Sequence, residues 1–205
     1  MSPLPPAALC RAPVLGPSLA LALVFLSSTA ARAEPARYEI DPEHTTIAFL
    51  VSHIGYQKVL GRFTDFSGSF QFDEQAPSLS DLEVTIEADS IETEHRRRDE
   101  HLRSDDFLYE DEHPEIRFVM TGAEPAGARS GTVSGDLTLR GVTRPVALDV
   151  TWNKTGPYPF GDTYVTGISA RTSFLRSEFG MDYGVADGLV GDEVEVIIEL
   201  EAIRE

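Results

Sequence analysis

The sequence predicts an all-β protein: an antiparallel sheet of about eight strands, closed into a barrel or folded into a sandwich. Three observations carry this. Apolar and polar residues alternate with period two over many segments of residues 34–205, the signature of a strand with one buried face. Clusters of Gly and Pro separate those segments. Only Thr93–Leu108 breaks the alternation.

Taken in order, Ile47, Phe49, Val51 and His53 share one strand face, opposite Thr46, Ala48, Leu50 and Ser52. Phe66, Gly68, Phe70 and Phe72 form a second apolar face, and Leu82, Val84, Ile86 and Ala88 a third, opposite Glu83, Thr85 and Glu87. Ile116, Phe118 and Met120 follow, then Val133, Gly135, Leu137 and Leu139, then Val146, Leu148, Val150 and Trp152. Tyr164 to Phe174 is a long, more polar strand, and Val194, Val196, Ile198 and Leu200 alternate with glutamates at the end. Breaks fall at Gln75–Ser80, at Gly122–Gly131, at Gly141–Pro145 and at the aromatic loop Gly156–Gly161. The stretch Thr93–Leu108 has no Gly or Pro and reads as a helix, with His95, Arg98, Asp99 and Leu102 on one face. Only Leu102, Phe107 and Leu108 in it are apolar, so this helix covers something rather than forming the core.

The first 33 residues read differently. Val14–Leu26 is an apolar run of 13 residues, preceded by Arg11 and followed by Ala31-Arg32-Ala33. A membrane span needs about 20 apolar residues. A basic start, a short apolar middle and a small-x-small site predict a signal peptide, residues 1–33, cleaved to leave a domain of residues 34–205 that is periplasmic or secreted. No later apolar run is long enough to span a membrane, so a soluble domain is expected.

The chain carries a formal charge of −17, with 17 basic and 34 acidic residues. Such a surface repels phosphate backbones and argues against nucleic acid as a partner. The one cysteine, Cys10, excludes a disulfide framework and a cysteine zinc site. The five histidines, 44, 53, 95, 101 and 113, show no HxH or HExxH spacing, and no metal site is expected. There is no GxSxG elbow; Ser169 lies in Gly-Ile-Ser-Ala-Arg, without the second glycine. The acid pairs Asp105-Asp106 and Asp111-Glu112 are either general acid and base or a solvated surface. His53, ending an apolar face, either meets a ligand headgroup or is a buried histidine held by backbone. His44, in a turn after Asp41 and Pro42, reads as structural, with Asp41 and Thr45 as hydrogen-bond partners. Arg98, in the basic cluster Arg96–Arg98, either meets a phosphate or polar headgroup or belongs to a solvated helix balanced by nearby acids.

An eight-stranded barrel is just wide enough to be filled by its own side chains or to hold one small ligand. The inward residues here are Phe and branched aliphatics, so a ligand would be apolar and long; the alternative is that these residues pack on one another.

Residues 38–202 resemble the YceI-like family of exported lipid- and polyisoprenoid-binding proteins. The resemblance is carried by Asp41–Phe49, Val51-Ser52-His53, Gly61-Arg62-Phe63, Phe66-Ser67-Gly68, Ser90–Thr93, Arg98–Ser104 with Asp106-Phe107, and Pro114 with Phe118. Gly135–Thr138, Arg140–Thr143, Arg176–Met181 and Val190–Val194 complete it. It implies an extended lipocalin-like antiparallel barrel with a long apolar tunnel, binding a polyisoprenoid, an isoprenoid quinone or a fatty-acid derivative, in some members as a homodimer. On this reading Ile47, Phe49, Val51, Phe66, Phe70, Phe118, Leu137 and Trp152 line the tunnel, and His53, Arg98 and Phe179 lie nearer its mouth. The expected function is a carrier with no catalytic residue and no cofactor beyond a bound isoprenoid or fatty-acyl lipid. A lipid-modifying enzyme, with His53 or an acid pair as base, and an interaction protein with a packed barrel are the alternatives.

Overall fold

The computed structural model describes Met1 and residues 34–205; the expected signal peptide lies outside the described residues. In chain order the strands are β1 (Ala36–Ile40), β2 (Thr46–His53), β3 (Gln57–Phe63), β4 (Phe66–Asp73), β5 (Ser78–Glu87) and β6 (Ile91–Glu92). The one α-helix among the described residues, α1 (Arg96–Arg103), precedes β7 (Glu115–Pro125), β8 (Ser130–Leu139), β9 (Val142–Pro157), β10 (Tyr164–Leu175) and β11 (Val190–Arg204).

All strand pairings are antiparallel, and the ring β1-β4-β5-β7-β8-β9-β10-β11 closes through β1–β11 into an eight-stranded barrel. Closure satisfies the edges that an open sheet would leave unpaired. The remaining strands extend three of the staves. β2 continues β1 along the same side of β11, with Tyr38 opposite Arg204 and Ile47 opposite Ile198. β3 precedes β4 on the next stave and pairs with β2; β6 follows β5 and pairs with β3 through Arg62–Glu92 and Phe63–Ile91.

The break between β1 and β2 is bridged by side chains. The Asp41 N–H donates to the Glu201 carbonyl (2.9 Å), and the Thr45 hydroxyl donates to the same carbonyl (3.2 Å) while accepting the Glu201 N–H (3.2 Å). Asp41 also accepts the Glu43 N–H (2.9 Å) and contacts His44 Nδ1 (2.7 Å). His44 therefore has Asp41 as its partner, as expected, whereas Thr45 turns to the ladder.

Alternation places the apolar residues inside. At one pole Tyr38 stacks on Phe70 (ring centroids 5.6 Å apart), and Phe72 meets Tyr38 and Trp152 edge-on (6.3 and 5.2 Å). The Trp152 indole N–H donates to Thr155 (2.8 Å), so its one polar atom is satisfied. This aromatic floor closes the barrel at that end.

The helix is shorter than the sequence predicts. Glu94 adopts φ 60° and His95 is extended, its ring Nδ1 accepting the Arg98 N–H (3.3 Å) as a cap. At the other end the Ser104 hydroxyl donates to the His101 carbonyl (2.8 Å), and Tyr109 N–H turns back to Ser104 (2.9 Å). Capping chemistry at both ends confines the helix to eight residues, and His95 lies outside the face assigned to it.

The hydrogen bond to Asp41 raises the His44 pKa above 6.5. The fold thus favours the protonated imidazole. Its contribution to stability is complete below the unfolded-state pKa and is lost as pH rises through the raised folded value. NMR titration is expected to give a His44 midpoint above 6.5, falling back towards 6.5 in Asp41→Asn; a midpoint insensitive to that substitution would contradict the assignment.

Candidate functional site: an apolar cavity with a polar mouth

A cavity of about 520 Å³ runs inside the barrel, within the usual range for small-molecule sites. Its walls are the inward residues of alternating strands: Ile47, Phe49 and Val51 from β2, Phe70 from β4, Val84 and Ile86 from β5, Phe118 from β7 and Leu137 from β8. Val146, Leu148 and Val150 of β9 and Val194, Val196, Ile198 and Leu200 of β11 complete most of the circle.

Two glycines make room for aromatic rings on this wall. Gly61 lies opposite Phe49 on the neighbouring strand, and Gly135 lies under Phe118. A Cβ at either position would overlap the facing ring. The absence of a side chain lets each ring lie against the sheet instead of projecting across the lumen.

The opposite pole is built by α1, the 104–113 turns and the 181–190 loop. Here the lining changes character: Ser52, His53, Arg98, His101, Arg176 and Tyr183 join Leu102, Phe107 and Met181. Arginines hold this irregular backbone by donating to carbonyls. Arg176, only 2% exposed, donates to Gly191 (2.8 Å), Met181 (2.6 Å), Tyr183 (2.7 Å) and Val190 (3.0 Å), and its guanidinium lies over the Phe107 ring (5.6 Å). Burial pushes its pKa down, opposed by Asp192 and Asp182. Arg140 donates to the Asp105 and Phe107 carbonyls (both 2.9 Å), and Arg103 to those of Asp89 and Ile91 (2.7 and 3.1 Å).

Arg98 and Asp99 both hold Thr93. The Thr93 N–H and hydroxyl donate to Asp99 (2.9 and 2.5 Å), while Arg98 Nε donates to the Thr93 hydroxyl and Nη2 to its carbonyl (both 2.7 Å). His101 contacts Asp106 (2.7 Å) and sits edge-on to Phe107 and Tyr183.

Of the residues picked out from sequence, the cavity brings together Ile47, Phe49, Val51, His53, Phe70, Arg98, Phe118 and Leu137. Three lie off its surface. Phe66 starts β4 just past the corner between β3 and β4 and is buried in the core cluster containing Tyr38 and Ile40. Trp152 points inward but belongs to the floor, against Phe72. Phe179, 1% exposed, packs edge-on behind Phe174 (5.2 Å) on the short turn between Arg176 and Met181, behind the cavity surface at the mouth end. His53 is exposed at the rim, so the buried-histidine alternative does not describe it. Sequence reasoning assigns Arg176 and His101 no place at the site; for Arg176 the available signal is its position after the long strand Tyr164–Phe174, in a segment with Phe179 and Met181.

The pairs Asp105-Asp106 and Asp111-Glu112 do not line the cavity, and Ser169 is on the outer wall, bonded to Glu199 (2.5 Å) and Asn153 (2.9 Å). Among the described residues no group of three or more His, Cys, Asp or Glu side chains is placed to hold a metal, and no helix is long and apolar enough to cross a membrane.

The fold and its hollow centre define a class: a closed antiparallel β-barrel with an internal apolar cavity. Residues 38–202 match the YceI-like domain, and the chain belongs to that family. It is 40% identical over 190 residues to a UPF0312 protein of Pseudomonas aeruginosa (strain LESB58), covering 91% of this chain and 96% of the relative. A UPF0312 protein of Pectobacterium carotovorum is 38% identical over 189 residues, with the same coverage. Among solved structures, the YCEI protein of Campylobacter jejuni superposes with a TM-score of 0.69 at 30% identity, over 75% of this chain and 90% of that one. Burkholderia cenocepacia BcnA shares the fold, with a TM-score of 0.71 at 21% identity over 79% and 98% of the two chains. So does a polyisoprenoid binding domain from Saccharophagus degradans, with a TM-score of 0.60 at 15% identity over 82% and 98%.

Two substitutions test this geometry. Arg176→Ala removes four bonds to carbonyls and is expected to cost about 3 kcal/mol in urea unfolding; a loss under about 0.5 kcal/mol, the size of an ordinary surface change, would contradict its role. Gly135→Ala is expected to swing the Phe118 ring into the lumen and to destabilise the fold by about 1–3 kcal/mol, seen in a crystal structure and by thermal melting.

Proposed function

We propose that this protein is an exported carrier that encloses one long apolar amphiphile, of the polyisoprenoid, isoprenoid quinone or fatty-acyl kind, with its tail on the aromatic floor and its polar end at the mouth. One observation supports this most: the cavity is lined by hydrocarbon from the floor upward, and its ionisable side chains gather at the α1 end. A water-filled site needs polar partners along its length; a chain with one polar end matches the gradient. The name of the Saccharophagus protein, a polyisoprenoid binding domain, supports the same class of ligand. Export to the periplasm or beyond is supported by the pattern of residues 1–33 and by the absence of cysteine from residues 34–205.

On this reading Ile47, Phe49, Val51, Phe70, Phe118 and Leu137 bury the tail. Transfer of each CH₂ from water contributes about 0.8 kcal/mol, close to fourfold in affinity. The role on this reading is binding, which the almost entirely hydrocarbon lining supports.

Native mass spectrometry of the purified protein is expected to detect a prenyl or acyl lipid that solvent extraction releases. After extraction, saturated acyl and prenyl chains of increasing length should raise Tm stepwise until the cavity is full, and then no further. A protein that is empty as purified, with a Tm unmoved by every such chain, would overturn the carrier.

A further inference from the structure

We propose that the headgroup seated at this mouth is an anionic oxygen group, a carboxylate or a phosphate, taken by Arg98 with His53; this rests on the carrier reading above. The chain has twice as many acidic as basic residues, yet among the described residues no carboxylate lines the cavity. Its ionisable lining groups are His53, Arg98, His101, Arg176 and Tyr183. An ammonium head would therefore be buried without a counter-charge, which is costly.

Of the four basic groups among them, two are already committed. Arg176 spends its guanidinium on four backbone carbonyls, and His101 is bound to Asp106. Two are not. Arg98 uses Nε and Nη2 on Thr93, which fixes the plane of its guanidinium; among the described residues Nη1 has no hydrogen-bond partner and Arg98 forms no ion pair. Asp99, its neighbour in sequence, is buried and turned to Thr93. The His53 ring makes no side-chain hydrogen bond among the described residues and stands on the rim. A pre-oriented cation with one free donor edge, bordered by hydrocarbon, suits an acceptor-only head with more than one oxygen. Low local polarity strengthens such a bond.

The exterior opposes this charge. Asp105, Asp106, Asp182 and Asp187 are exposed near the mouth. Exposed charges act mainly on the approach of a ligand and are screened within about 8 Å at physiological salt, whereas the seat itself is formed by the lining.

The test uses delipidated protein and three chains of one length: octadecanoate, octadecanol and octadecylamine, with affinities measured by calorimetry. Octadecanoate is expected to bind at least about tenfold tighter than the alcohol, and the amine weakest. Geranylgeranyl phosphate against geranylgeraniol forms the second arm, and the larger anion-to-alcohol ratio assigns phosphate or carboxylate. Arg98→Gln should bring the ratio close to one while tail-length dependence persists; Arg98→Lys should restore part of it. Since Arg98 also holds Thr93, His53→Gln, at an exposed position, gives an independent check and should lower the ratio. Equal binding of all three heads, with tail dependence intact, would overturn the headgroup assignment and leave the carrier standing. No binding of any chain would overturn both.

Discussion

The closed hydrogen-bonded ring is what allows this molecule to keep a hollow centre. A protein interior ordinarily packs to the density of an organic crystal, and an apolar void forfeits dispersion contacts along its lining. Here the walls cannot collapse without breaking strand ladders. The weakest link is the join of β1 to β11, three residue pairs long, reinforced by Asp41 and Thr45 on Glu201. Tyr38, at that join, also stacks on Phe70 in the floor, so closing the ring and sealing the pole are one piece of packing.

The two poles solve different problems with different chemistry. The floor is aromatic and regular: Tyr38, Phe72 and Trp152 are inward residues of strands, and rings fill the taper. The mouth is made of turns whose carbonyls have no ladder partner. Arg98, Arg103, Arg140 and Arg176 supply donors to them, which explains why a very acidic chain keeps arginines at this end. Of the two arginines that line the cavity, Arg176 spends all three of its nitrogens on carbonyls whereas Arg98 leaves Nη1 unspent, and this asymmetry gives the mouth its chemical character.

Much of the barrel was legible in the sequence. Period-two alternation gave the inward faces of β2, β5, β8, β9 and β11, because a half-buried strand has no other way to divide its residues. The interruptions within staves were not legible. Phe66 and Phe70 share a face by alternation, yet the corner at residues 64–65 takes Phe66 out of the cavity and leaves Phe70 in it. Trp152 alternates with the inward residues of β9, but alternation says nothing of depth, so it does not separate floor from tunnel. Phe179 depended on a short turn rather than a strand. Thr93–Leu108 lacked helix breakers, but its limits were set by the capping of His95 and Ser104. Arg176 was hidden because a basic residue near acids reads as surface, and its burial depends on carbonyls brought from 15 residues away.

The most direct test of a hollow barrel is an electron-density map of the protein as purified. The account predicts continuous, unbranched or regularly branched density lying along the lumen, from the ring of Phe70 to the guanidinium of Arg98. A lumen closed by its own side chains, with the Phe49 and Phe118 rings swung across it, would contradict the account.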